Sequence, residues 1–205
     1  MDSKRIGIMG GTFDPIHFGH LVIANEVLDQ YHMEKIIFIP AGNPPHKKDS
    51  KASSIDRYIM TNLATLSNDK FEVSNIELIK KEKSYTINTL LVLREIYKDA
   101  EIYFITGADA IIELPNWYEF KSIIKLCKFI AVTRPDYNTH EIKEKIQSII
   151  DIYQGQIELL KVPMLQISST EIRNRIKNNR TAKYLLPEVV EQYIVKNNLY
   201  GDNNE

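Results

Sequence analysis

Six short runs rich in Ile, Val and Phe recur along the chain: RIGIMG, KIIFIPAG, FEVSNIEL, EIYFITGA, KFIAVTR and IELLKVP. Each reads as a strand, and their near-continuous apolar character suits strands covered on both faces. Between them lie segments with helical spacing, HLVIANEVLDQYH, SIDRYIMTNLATLS, TINTLLVLREIYK and HEIKEKIQSIIDIY; the tail adds SSTEIRNRIKN and LPEVVEQYIVKNN. Strand and helix in alternation predict an α/β chain built on a doubly wound parallel sheet, with helices on both faces. Ser54 with Asp56 and Arg57 opens one predicted helix, and Thr86 is the expected cap of another. The 205 residues suffice for one domain with a full core, no internal repeat is visible, and the last helical part spans about residues 165–200.

Composition narrows the function classes. Lys and Arg number 26 against 27 Asp and Glu, a net charge of -1, so the basic excess of a duplex-binding protein is missing and nucleic acid is not the expected partner. A small anionic ligand stays open, because it needs only a local positive pocket. The single cysteine, Cys127, rules out an internal disulfide and reads as a small buried hydrophobe. The first residues, MDSKRIGIMGGTF, run straight into glycines without the apolar region of a signal peptide, and no run is long enough to span a bilayer. The expected location is cytoplasmic, without a membrane partner.

The first strand runs into GGTFDPIHFGH, Gly10 to His20. Gly10 and Gly11, followed by Thr12, let the backbone turn and let a phosphate approach the amides with no Cβ in the way. The helix that starts near His17 or Phe18 points its N-terminus, with its free N–H groups and partial positive charge, at the same place. His17 and His20 are one turn apart and project from one face, where imidazoles can donate hydrogen bonds to charge building on phosphoryl oxygens. Their spacing without an evident third ligand does not make a metal site.

Five further motifs stand out, four of them where strands end, the edge at which open α/β sheets bind ligands. IPAGNPPHKK places His46 and Lys47 on a loop from which a lysine can close over a phosphate. SYTINTL opens a helix with hydroxyls around Thr86. GADAIIELPNWYEF carries Asp109 at a strand end and Trp117, the only tryptophan, in a turn after Pro115. That ring can fill core or stack on a flat heterocycle. VTRPD puts Arg134 at another strand end. ISSTEIR is a strand-to-helix junction offering Ser168 and Ser169, with Arg173 about one turn on.

GGTFDPIHFGH matches the (T/S)xxHxGH signature of the nucleotidyltransferase superfamily, and with ISSTEIR it points there. PPHK, SYTINTL and GAD…LPNW, in that order, resemble the bacterial nicotinate-nucleotide adenylyltransferases from Lys4 to about Leu199. The resemblance implies a Rossmann-like fold and transfer of the AMP part of ATP to nicotinate mononucleotide, giving nicotinate adenine dinucleotide and pyrophosphate in NAD biosynthesis. It implies that Gly10, Gly11, Thr12, His17 and His20 hold the ATP phosphates, completed by Ile167, Ser168, Ser169 and Arg173, with Asp109 on the nucleotide. By the same resemblance Lys47 and Arg134 engage the mononucleotide phosphate, and His46 helps to bind the mononucleotide. Trp117 then stacks on the pyridine, and amides near Thr86 and Tyr118 bind its carboxylate. Mg2+ is expected on the triphosphate, held mainly by nucleotide and water. Homo-oligomerisation stays open. Asn88, where relatives often have Asp, and Asp136, where they have Gly, depart from the family pattern. Pantetheine-phosphate adenylyltransferases and glycerol-phosphate cytidylyltransferases lack the PPHK and LPNW segments. A catalytically silent nucleotide sensor would be expected to lose His17, His20 or Arg173.

Overall fold

The computed structural model describes residues 4–43, 50–79, 83–133, 139–163 and 165–201. The strands are β1 (Lys4–Gly11), β2 (Lys35–Pro40), β3 (Phe71–Val73), β4 (Ala100–Gly107), β5 (Lys128–Thr133) and β6 (Ile157–Lys161). They form one sheet in the order β3-β2-β1-β4-β5-β6, with every pairing parallel. The helices are α1 (Phe18–Gln30), α2 (Ser54–Thr65), α3 (Thr86–Ile96), α4 (Ala108–Ile112), α5 (Phe120–Leu126), α6 (Thr139–Tyr153), α7 (Ser169–Lys177) and α8 (Glu188–Lys196).

The central strand runs are near-continuously apolar because alternate residues feed two cores, while the edge strands β3 and β6 expose Glu72, Glu158 and Lys161. Ile6 and Ile8, Ile37 and Ile39, Ile102 and Phe104, and Phe129 and Ala131 point to one side, against Ile87, Leu90 and Leu93 of α3 and Ile142, Ile146 and Ile149 of α6. Met9, Ile36, Phe38, Tyr103, Ile105, Ile130 and Val132 point to the other, against Ala24 and Val27 of α1, Met60 and Ala64 of α2, Ile172 of α7, and Val190 and Ile194 of α8. Both faces of the sheet are therefore dry, and the predicted architecture is the one observed.

Three expectations are corrected. FEVSNIEL is a strand only over Phe71–Val73; after Ser74 the chain turns at Asn75, whose carbonyl accepts from Leu78 N at 2.9 Å. The segment after β4, in which no helix is predicted, carries α4, a 3-10 turn at Leu114–Asn116 and α5, with Trp117 in the turn after Pro115 as expected. Each piece is one or two turns long and Pro115 separates them, so no helical period builds up in the sequence. Ser54 opens α2 as expected, with Ser53 as its cap, but Thr86 does not cap α3: Tyr85 holds that place and Thr86 is the first helical residue.

With β1 in the middle, the chain winds outward through β2 and β3 on one side and through β4, β5 and β6 on the other. The winding direction reverses between β1 and β4, which opens a crevice beyond their carboxyl ends.

Candidate active site

β1 extends through Gly10 and Gly11, whose partners in β2 are Ile39 and Pro40. The sharp turn is therefore not made by the glycines, none of which has a positive φ among the described residues. It is made by Phe13, at φ 50°, and the cis Asp14–Pro15 peptide. Buried Phe13 and Ile16 pin this turn to the core.

His17 follows as the residue capping α1. Its backbone N–H donates to His20 Nδ1 at 3.2 Å, and the two rings stack with centroids 3.7 Å apart. Gly19 makes the stack possible, since a Cβ there would lie 3.0 Å from the His17 ring. His17 is 6% exposed, and burial pushes its pKa down to about 4, so the ring is neutral at pH 7. Among the described residues its Nδ1 is buried without a hydrogen-bond partner. His20 Nδ1 is an acceptor, so a neutral His20 carries its proton on Nε2.

A second helix N-terminus is docked on the same turn. Ser168 caps α7, its Oγ accepting from Glu171 N at 3.1 Å. Ser169 Oγ donates to Pro15 O at 2.8 Å, and Arg173 Nη1 donates to Asp14 O at 2.7 Å. The Ile167 carbonyl comes within 3.7 Å of where a Cβ on Gly19 would lie. Residues more than 150 apart in sequence thus meet in one corner, and two helix dipoles present their positive ends there. Such an arrangement of donors suits an anion.

Beside it lies a cleft of about 240 Å3 lined by Gly10, Gly11, Ala41, Ser84, Thr86 and Trp117, among others. Trp117 stands edge-on to Phe104, centroids 6.0 Å apart, and is half-buried at the end of the 3-10 turn. Thr86 begins α3, where no side chain caps the amides. Tyr118 is exposed and packs its ring 4.8 Å from that of Tyr85. Asp109 is not the last residue of a strand; it stands exposed in the first turn of α4. His46, Lys47, Arg134 and Asp136 lie outside the described residues.

Residues 8–175 match the cytidylyltransferase-like family. A protein of a Thermoanaerobacter species, named "Probable nicotinate-nucleotide adenylyltransferase", is 48% identical over 98% of this chain and 96% of its own length. One of Moorella thermoacetica, with the same name, is 48% identical over 96% of this chain and 91% of its own. The chain belongs to the nicotinate-nucleotide adenylyltransferase family. Its fold is also that of a solved Plasmodium falciparum nicotinic acid mononucleotide adenylyltransferase complexed with NaAD. The TM-score is 0.78 at 23% identity, covering 96% of this chain and 97% of the other.

The candidate site also rests on residues to which the sequence motifs assign no role of their own. The buried Asp14 carboxylate accepts from Lys51 N at 2.8 Å, Ala52 N at 3.2 Å and Tyr200 Oη at 2.7 Å. Its charge, after burial, helps push the Tyr200 hydroxyl pKa well up. Ser84 Oγ accepts from Gly42 N at 3.1 Å and Asn43 N at 3.0 Å, tying the end of β2 to the start of α3. Arg57, predicted only to help open a helix, is 1% exposed and lies behind the floor of the cleft. A signal existed: Arg57, Met60, Thr61 and Ala64 share the buried stripe of α2, and an arginine on an apolar stripe asks for a partner.

Proposed function

We propose that this nicotinate-nucleotide adenylyltransferase works by direct in-line attack of the phosphate of nicotinate mononucleotide on the α-phosphorus of ATP. A P–O bond forms between them, the bond from the α-phosphorus to the bridging oxygen breaks, and pyrophosphate leaves. Nicotinate adenine dinucleotide is the other product. The mononucleotide phosphate is already a nucleophile, so the enzyme aligns reactants and neutralises charge. No covalent enzyme intermediate is needed. Cys127 is unsuited to form one, since burial pushes its thiol up to about 12.

The observation that carries this reading is the docking of α7 on the His17–His20 turn, directly beside the Trp117 cleft. Gly10, Gly11, Thr12, His17, His20, Ile167, Ser168, Ser169 and Arg173 form the triphosphate cradle. His20 offers its Nε2–H to a phosphoryl oxygen, and Arg173, held by Asp14 O through Nη1 and by Thr170 Oγ1 through Nη2, brings its positive charge to the same corner. Asp109 contacts the nucleotide. Trp117 stacks on the pyridine, with amides near Thr86 and Tyr118 for its carboxylate. Lys47 and Arg134 are assigned to the mononucleotide phosphate, and His46 to binding of the mononucleotide. Mg2+ would enter as MgATP and supply charge neutralisation on the triphosphate: the cradle offers imidazole, guanidinium and amide donors, which suit phosphate oxygens, so the nucleotide and water would hold the ion.

The test is transfer of label from ATP marked at the α-phosphate. Label is expected in the dinucleotide and none on the protein when ATP is supplied alone. Label retained on the protein would contradict direct attack. Binding of ATP with no transfer would replace the enzyme by a nucleotide sensor.

A further inference from the structure

The cradle turn and the cleft share Gly10 and Gly11 and part beyond them, and in-line transfer requires a fixed distance between what they hold. One buried side chain bonds to both. Arg57 Nη1 donates to Thr12 O at 2.6 Å, at the start of the cradle turn. Arg57 Nη2 donates to Ala41 O at 2.6 Å and to Gly42 O at 3.4 Å, in the wall of the cleft. Gly42 passes the tie onward, because its N–H and that of Asn43 bond Ser84 Oγ, two residues before Thr86. Close packing locks this wall: a Cβ on Gly42 would lie 2.2 Å from Glu77 O. Glu77 is itself held, since Thr89 Oγ1 donates to Glu77 Oε1 at 2.7 Å.

A cation this buried is expensive unless it is compensated. Burial pushes the Arg57 guanidinium down from its usual range, and Asp14, Tyr200 and Glu77 push it back up. The carboxylates that counter it thus belong to the two regions that it joins, Asp14 to the turn and Glu77 to the cleft wall. The partners bonded by its two terminal nitrogens are backbone carbonyls, which a planar fork can bridge and a single ammonium cannot.

We infer that Arg57 is a positioning residue for adenylyl transfer: its guanidinium spans Thr12 and Ala41 and sets the separation of the two substrate pockets. This rests on the adenylyl-transfer reading above. Loss of the bridge leaves each pocket able to bind its own substrate and misaligns the pair.

The experiment uses the full chain with Arg57→Lys and Arg57→Gln, the second being neutral and so tolerant of burial if the lysine variant does not fold. Steady-state kinetics with MgATP and nicotinate mononucleotide are combined with separate calorimetric binding of each ligand. The folded variant is expected to lose about a hundredfold in kcat, as a misplacement near 1 Å does. Each dissociation constant and each KM should stay within about threefold. Unchanged kcat in a folded variant would overturn the inference. So would a rise confined to one KM with kcat kept, which would make Arg57 a structural support of one pocket. Failure of both variants to fold would make it a stability element and overturn the positioning role as well. If the wild-type chain itself forms no dinucleotide, the adenylyl-transfer reading fails instead.

Discussion

His17 and His20 stack on each other yet do different work. Burial holds His17 neutral at pH 7, with its pKa lowered to about 4. Its unfolded imidazole titrates near about 6.5. Between these values the unfolded chain binds more protons, so His17 makes the fold less stable as pH falls from about 6.5 towards about 4. The loss from this residue should reach about 2 kcal/mol at pH 5. Urea melts of the wild type and His17→Gln at pH 7 and pH 5 check it: the variant should lack this part of the acid loss, and parallel curves would contradict it. His20 is assigned the donor role. His20→Ala should fold and lose about a hundredfold in kcat, the usual effect of removing one well-placed donor. Intact turnover would remove His20 from the mechanism. Both histidines are readable in the sequence, because helical spacing alone puts them on one face. Asp14 and Arg57 are harder to read. Their partners Tyr200 and Thr12 lie 186 and 45 residues away in the chain, and no local pattern records such bonds.

Among the elements, α7 decides most. Its N-terminus is tied to the cradle turn by Ser169 and Arg173, and Ile172 anchors it in the core. Ser169→Ala removes the bond to Pro15 O and should destabilise the fold by about 1 kcal/mol, read in a urea melt. It should also raise KM for ATP more than KM for the mononucleotide, read in steady-state kinetics. An equal rise in both would contradict the assignment of this corner to ATP. The central strands β1, β2, β4 and β5 are legible in sequence because a parallel strand buried on both faces is near-continuously apolar, while the edge strand β3 is only three residues long, shorter than its sequence run predicts. α4 and α5 are not legible, because pieces of one or two turns broken by Pro115 never complete a helical stripe. Trp117 therefore reads as a turn residue in the sequence, while in the fold it ends a 3-10 turn and leans edge-on against Phe104 of β4.

At the scale of the molecule, the reversal of winding between β1 and β4 puts a donor-rich corner and an aromatic cleft side by side. The C-terminal end closes the back of this arrangement. Tyr193 Oη donates to Asp56 of α2 at 2.8 Å, and Tyr200 Oη to Asp14. Tyr200→Phe should lower stability by about 1 to 2 kcal/mol, because a buried carboxylate oxygen loses one donor. Unchanged unfolding would mean that the contact is incidental. With a net charge of -1, the protein offers no global attraction to nucleotides, so recognition falls to the local donors. Those in the cleft are assigned to a carboxylate, against which an amide would set its own N–H. The most direct measurement is pyrophosphate release with MgATP, comparing nicotinate and nicotinamide mononucleotides side by side. The account predicts strong release with the acid and little with the amide; equal release with both would contradict the carboxylate pocket, and silence with both would contradict the reaction.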